Sequence, residues 1–463
     1  MHKISKARFD ALAAFSRRAG TELLLEEVAW FASDDERVIA VAIRDTDDEF
    51  SGQLLARDRN ERYRWVTSTG YHTNVQNFMS DLRAHMAAAV ADYDKIHLQG
   101  DESGVAVDFF TPVRKAKRLN PSFKQLAEGV GFVAARRMIN ELMRWHDDVD
   151  GNFVEQFQTS GFDQRMWELY LFAALKDAGL DVSRPDPAPD FLVTGPGVKF
   201  AVEAVTANPT LGPDGKPVVS PRHDPGYDEG AYRRDYLPLK YAGPLMDKLK
   251  KQYWTKPAAR GIPLVFAIQD FHDAMSMTFS GSALPTYLYG YTYTQRTLAD
   301  GSFVAVPEKV TAHLKGSVAV PSGFFFQPDA ENVSAVIFNA SGTISKFNRM
   351  GVLAGFGLDD VTLVVSGFAL DPTPGASAPV PFSRVVDADY TETWIDGMDV
   401  YHNPRALRPL PMDALPGATH HAVRPDGSVY SVGPEHRMWG SVTHIVVQHG
   451  VGDAETGGST DPL

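Results

Sequence analysis

Apolar residues change their spacing several times along the chain, and each change predicts an element. Residues 1 to about 20 carry the pattern of a short amphipathic helix. Four runs follow, LLLEEVAWFAS, RVIAVAIRD, SGQLLARD and RYRWVTS, separated by turns containing Asp, Glu, Gly or Asn. Apolar or alternating runs of this length predict an antiparallel sheet. From Asn74 to Asp94 the period becomes helical, with Phe78, Leu82 and Met86 on one side. A second helix is predicted in FVAARRMINELMRWH, within the basic segment Phe109 to Trp145. These elements make an N-terminal α+β domain over residues 1–150, bounded by the break at Asp147–Asn152.

The densest pattern lies between Phe162 and Asn208. FDQRMWELYLFAALKDAGL predicts a helix from about Phe162 to Asp177, stopped by Gly179. Met166, Trp167, Leu169, Tyr170 and Phe172 surround it, so it should be buried nearly all round. Glu168 is the odd residue on that helix, sharing a face with Leu171 and Leu175. A carboxylate so placed needs a cation, a metal or hydrogen-bond donors opposite it. Asp190 then opens a strand after a Pro-rich connection, GPG makes a tight turn, and Val198–Val205 alternates. Glu203 lies on the less apolar face of that second strand, toward whatever Asp190 faces across the hairpin. A helix from about Pro244 to Trp254, with Pro244 in its first turn, and a strand Leu264–Ile268 complete the series.

A glutamate on a first helix, Pro189-Asp190, and Glu203-Ala204-Val205 on the next strand resemble the PD-(D/E)xK nuclease superfamily. The order helix, three strands, helix, strand is similar as well, over roughly residues 160–270, under a third of the chain. The resemblance implies an α/β (α+β overall) fold with a restriction-endonuclease-like central mixed sheet flanked by helices, assigned to residues 151–370. It also implies phosphodiester hydrolysis with Mg²⁺ or Mn²⁺ held by Asp190 and Glu203, and by Glu168 directly or through water. The chain departs from the motif at Val205, where the family has its lysine. Lys199 lies four residues from Glu203, roughly 13 Å along a strand, too far to replace it. Lys248, on the border of the apolar arc Leu245, Met246, Leu249 and Tyr253, can reach inward and take the role. Lys240 is a weaker substitute, expected outside the helix. Read without the resemblance, Glu168 pairs with an arginine, Asp190 caps a turn and Glu203 is a solvated strand residue. Between these stands a nuclease fold that has lost its chemistry and binds nucleic acid or protein.

Composition narrows the partners. The 463 residues carry a formal charge of −13, so nucleic acid, DNA favoured over RNA, would have to meet a local basic strip. Arg114, Lys115, Lys117 and Arg118, followed by Lys124, Arg136 and Arg137, form the best candidate, although a solvated face on connecting structure is the favoured reading of them. The chain has no cysteine, which removes thiolate chemistry, disulfides and cysteine-bound zinc and is compatible with a cytoplasmic location. No run of about eighteen apolar residues and no signal peptide is seen, so a soluble protein with no membrane partner is expected. A homo-oligomer is compatible with the chain.

Several further patterns invite a role. The insertion between Glu203's strand and Pro244, rich in Pro, Gly, Asp and Arg, could cover the acidic site and present His223, Arg233 and Arg234 to phosphate. His272 follows the strand that ends nearby, where a metal role is the less favoured reading. Tyr287, Tyr289, Tyr291 and Tyr293 alternate as on one strand face, where they would stack with bases or simply pack. Lys346 and Arg349 are expected on a polar strand beside the core. Residues 371–463 read as an irregular C-terminal extension with occasional strands; His420 and His421, being adjacent, face apart on a strand, and His444 with His449 lacks supporting carboxylates.

Overall fold

A computed structural model describes residues 1–448, except 97, 103–105, 147, 149–150, 300–302, 372, 374–377 and 436. Asp147, Val149 and Asp150 of the expected domain break, His449, and the tail from Gly450 lie outside the described residues.

The first five strands, His2–Ile4, Leu25–Ala32, Val38–Asp45, Phe50–Arg57 and Tyr63–Ser68, pair in chain order as an antiparallel meander. Its third strand is apolar on both sides because both faces are covered. Val38, Ala40 and Ala42 meet Phe78, Leu82 and Met86 of the helix Val75–Ala91. Ile39, Val41 and Ile43 join the main core. That helix starts where expected, with the Asn74 side chain accepting from the Asn77 N–H at 3.1 Å.

An eight-stranded mixed sheet forms the centre. From one edge its order is Val429–Val432, Thr419–Val423, Asp399–His402, Ala335–Phe338, Leu264–Asp270, Val198–Ala207, Phe191–Gly195 and Asp181–Ser183. The last three are antiparallel to one another, while Val198–Ala207, Leu264–Asp270 and Ala335–Phe338 run parallel. Alternate residues of these strands feed two cores. Phe200, Val202 and Ala204 pack under the helix Phe162–Asp177, whereas Ala201 and Val205 pack under the helix Leu237–Leu249. The first helix is fixed by two buried bonds, Trp167 Nε1 to the Ala267 carbonyl at 2.8 Å and the Tyr170 hydroxyl to that of Trp394 at 2.9 Å. It ends as its sequence predicts, with Gly179 at φ 75° and the Leu180 N–H on the Leu175 carbonyl.

Four expectations are corrected. The stretch from 371 onward is not an irregular extension, because Asp399–His402, Thr419–Val423 and Val429–Val432 complete the central sheet. Two more strands, Val380–Val385 and Met438–Val447, flank Val361–Ala369 in a separate three-stranded sheet. Pro244 lies inside the helix Leu237–Leu249, and Pro238 occupies its first turn instead. The tyrosine alternation crosses a helix end: Tyr287 and Tyr289 belong to the helix Ala283–Tyr289, Gly290 turns at φ 72°, and Tyr291 begins a strand. Lys346 and Arg349 sit on a helix, Ile344–Leu353, and are buried. Among the described residues no helix is long and apolar enough to cross a membrane.

Candidate functional site

The hairpin Phe191–Gly195/Val198–Ala207 places Phe191 opposite Val202, which sets Asp190 opposite Glu203 just beyond the pairing. The Asp190 N–H donates to Glu203 Oε2 at 3.3 Å, and the Ala204 N–H donates to Asp190 Oδ2 at 2.8 Å. Asp190 therefore serves the strand backbone with one oxygen, as in its plain capping role. Its Oδ1 has no hydrogen-bond partner among the described residues.

Glu203 is on the sheet face that carries the helix Leu237–Leu249, and this brings Lys248 to it. The Lys248 ammonium bonds Glu203 Oε1, and lies 5.7 Å from the centre of the Tyr253 ring. Lys248, singled out as the substitute that the resemblance calls for, meets Glu203, although Pro244 was misplaced. Burial and the adjacent Asp190 charge push the Glu203 carboxyl above its ordinary range, with Lys248 only partly opposing them. Lys199 is exposed and remote along the strand, and Lys240 donates to the Thr210 hydroxyl at 2.8 Å, away from the carboxylates.

Glu168 is met by an arginine and an amide donor, partners that a carboxylate on so buried a helix requires. Its helix packs on the opposite face of the sheet, and its carboxylate is fully buried among protein donors. Arg165 Nη1 reaches Glu168 Oε2 at 2.7 Å, Arg184 stands 3.6 Å away, and Gln164 Nε2 donates to Oε1 at 3.2 Å. Burial and Asp190 nevertheless leave its carboxyl raised. Arg165 is one helical turn before Glu168, a pairing spacing readable from sequence. Arg184 and His146 carried no comparable signal. Arg184 follows the edge strand Asp181–Ser183 and donates to the His146 ring, which burial and that guanidinium keep neutral.

Three carboxylates therefore belong to one electrostatic neighbourhood without forming one ligand set. Among the described residues no three His, Asp or Glu side chains stand close enough together to hold a metal ion. Asp190, Glu203 and Lys248 make a compact group, and Glu168 is tied behind the sheet by its arginines. A cleft of about 1990 Å³ between the N-terminal sheet and the central body takes in none of the four.

The other singled-out residues are engaged locally. His223 pairs with Asp273 at 2.8 Å, Arg233 with Glu229 at 2.8 Å and Arg234 with Asp235 at 2.8 Å, so the insertion's cations do not point at Glu203. His272 is held by Asp270 at 2.8 Å. In the basic segment Arg114 pairs with Glu155, while Lys115, Lys117 and Arg118 are exposed. His420 bonds His402 at 2.8 Å, His421 bonds Asp399 at 3.0 Å and His444 bonds Ser366 at 2.9 Å. No protein-family model, curated protein or solved structure matches this chain.

Proposed function

We propose that the chain is a metal-dependent nuclease whose site is Asp190, Glu203 and Lys248. The observation that carries this reading is the Lys248–Glu203 contact beside Asp190, made from the helix that follows Glu203's strand. The run of elements supports it: a helix, three antiparallel strands, a helix, and a strand parallel to the third. This is the order implied by the PD-(D/E)xK resemblance.

The donor set suits a hard divalent cation with many water ligands. Mg²⁺ is commonly held by one or two carboxylates plus substrate phosphate, so Asp190 and Glu203 suffice without Glu168. Asp190 Oδ1 is open, and burial first, then the Asp190 charge, keep the Glu203 carboxyl raised despite Lys248, a state that a bound cation would offset. When bound there, the ion would supply Lewis-acid polarisation of a phosphoryl oxygen and acidify a water. Lys248 is one-fifth exposed, so its ammonium can both neutralise Glu203 and offer an N–H to a phosphate oxygen gaining charge. Glu168 does not fit the metal set; with Arg165 and Arg184 it braces the hairpin from behind. Lys115, Lys117 and Arg118 supply backbone contacts to DNA in preference to RNA on a chain that is otherwise acidic.

One observation favours the noncatalytic reading: Lys248 is already spent on Glu203, and Glu168 on two arginines. Cleavage of a mixed DNA and RNA panel with Mg²⁺ or Mn²⁺ separates the two. Wild type is expected to cut, and Glu203→Gln and Lys248→Met to fail while folded. Activity surviving Glu203→Gln would sink this site, and a wild type that binds nucleic acid without cutting it would establish a binding module.

A further inference from the structure

The strand Leu264–Asp270 runs parallel to both of its neighbours, and crevices outside the carboxyl ends of parallel strands are habitual ligand sites. Here the chain leaves through Phe271–Met277 and meets the insertion that follows Ala207. Between them lies an open cavity of about 530 Å³, a volume within the range that holds small organic ligands. None of Glu168, Asp190, Glu203 and Lys248 lines it, so it is separate from the acidic site.

The ionisable side chains on its wall are His223, His272, Asp273 and Asp163. Three are already partnered. His272 donates from Nδ1 to Asp270 at 2.8 Å and has the Tyr232 hydroxyl 3.3 Å from Nε2, while His223 and Asp273 pair with each other. Asp163 is the exception. It stands in the first turn of the helix Phe162–Asp177, half-buried, and has no hydrogen bond or ion pair among the described residues. The helix end favours its ionised form slightly, yet burial pushes its carboxyl above the ordinary range. A lone carboxylate on a cavity wall is an acceptor waiting for a cationic donor.

The remainder of the wall is largely apolar, with Pro209, Val218, Phe271 and Met277 among its residues. Met275, also on the wall, holds φ at 57°, a left-handed conformation uncommon outside glycine and concentrated at ligand sites. We propose that this cavity binds a small organic cation, its ammonium on Asp163 and its apolar body against Val218, Phe271 and Met277. Anions are refused by Asp163 and Asp273 together, and neutral analogues lack the charge-assisted bond.

The test is isothermal titration of the full-length protein with benzylammonium, benzyl alcohol and benzoate. Saturable binding is expected for benzylammonium, with the other two weaker by at least about tenfold, the scale of one hydrogen bond to a charged group. Asp163→Asn keeps the side chain's shape and removes a half-buried charge, so its melting temperature should hold or rise while benzylammonium affinity falls by about tenfold or more. Three results would overturn the proposal: equal binding of the alcohol, full affinity in Asp163→Asn, or no saturable binding of benzylammonium, cyclohexylammonium or n-butylammonium.

Discussion

Two buried glutamates in this protein are each met by a lysine and a tyrosine, and they end in opposite states. Glu392 is bonded by Lys346 at 2.6 Å, by Arg349 at 2.7 Å and by the Tyr390 hydroxyl at 3.0 Å. Burial alone would raise its carboxyl, yet Lys346 and Arg349 hold it down to about 2. Glu203 has Lys248 and Tyr253 beside it, but its second neighbour is Asp190 rather than an arginine, and its carboxyl is raised. One extra cation against one extra anion makes the difference. The completed cluster ties the helix Ile344–Leu353 to the segment around Thr393. The incomplete one lies near the surface with negative charge in excess, the condition in which an added cation is stabilised.

The comparison is broken most severely by removing the glutamates. Glu392→Gln leaves Lys346 and Arg349 buried without their carboxylate, and urea unfolding should show a loss of about 3–5 kcal/mol. Glu203→Gln frees only a partly exposed lysine and removes a carboxylate that destabilises at neutral pH, so stability should change by less than about 1 kcal/mol in either direction. Equal losses would show that both clusters are structural. Activity should divide the other way: folded Glu203→Gln and Lys248→Met lose about a hundredfold or more in cleavage rate, while folded Glu392→Gln retains it.

Acid sharpens the contrast because the two carboxyls contribute with opposite sign. A depressed carboxyl stabilises the fold above its unfolded value, so the Glu392 contribution should fade as pH drops from about 4.5 toward about 2. A raised carboxyl binds its proton more tightly in the folded state, so Glu203 destabilises at neutral pH, and that penalty is relieved as pH falls through its folded value. Melting temperatures of wild type and Glu203→Gln across this range should therefore converge toward low pH. A separate loss belongs to His402, which burial and then His420 hold down to about 4. As a base kept neutral in the fold, it costs stability as pH falls from about 6.5 to about 4, and His402→Gln should flatten that window.

The smallest effect is expected from the basic segment. Replacing Lys115, Lys117 and Arg118 with glutamine should weaken nucleic-acid binding several-fold and shallow its salt dependence, with the cleavage rate of bound substrate kept. An unchanged salt slope would place the phosphate contacts elsewhere.

Much of the fold near the site was legible because its apolar runs are dense and sharply bounded by turn and cap residues. The helix Phe162–Asp177, the hairpin holding Asp190 and Glu203, and the N-terminal meander follow their apolar spacing. The remainder was hidden for identifiable reasons. Lys346 and Arg349 look like surface residues until Glu392, more than forty positions away, comes into contact. Pro244 mimics a helix start, but the true first-turn proline is Pro238. The C-terminal strands of the central sheet are short, and Asp399–His402 gains its place by pairing with Ala335–Phe338, a long-range contact that no local pattern encodes. Glu168 announced a partner correctly and Arg165 stood at pairing distance in sequence, but nothing local showed that Arg184, beyond the edge strand, would join them.

The central claim is that Glu203 is short of one positive charge which a divalent ion supplies. Titration of Mn²⁺ into the full-length protein, followed by the loss of its free-ion electron resonance signal, tests this without a substrate. The account predicts a saturable site in wild type, weakened about tenfold or more in Glu203→Gln and in Asp190→Asn, and little changed in Glu392→Gln. No saturable binding in wild type, or equal binding in wild type and Glu203→Gln, would contradict it.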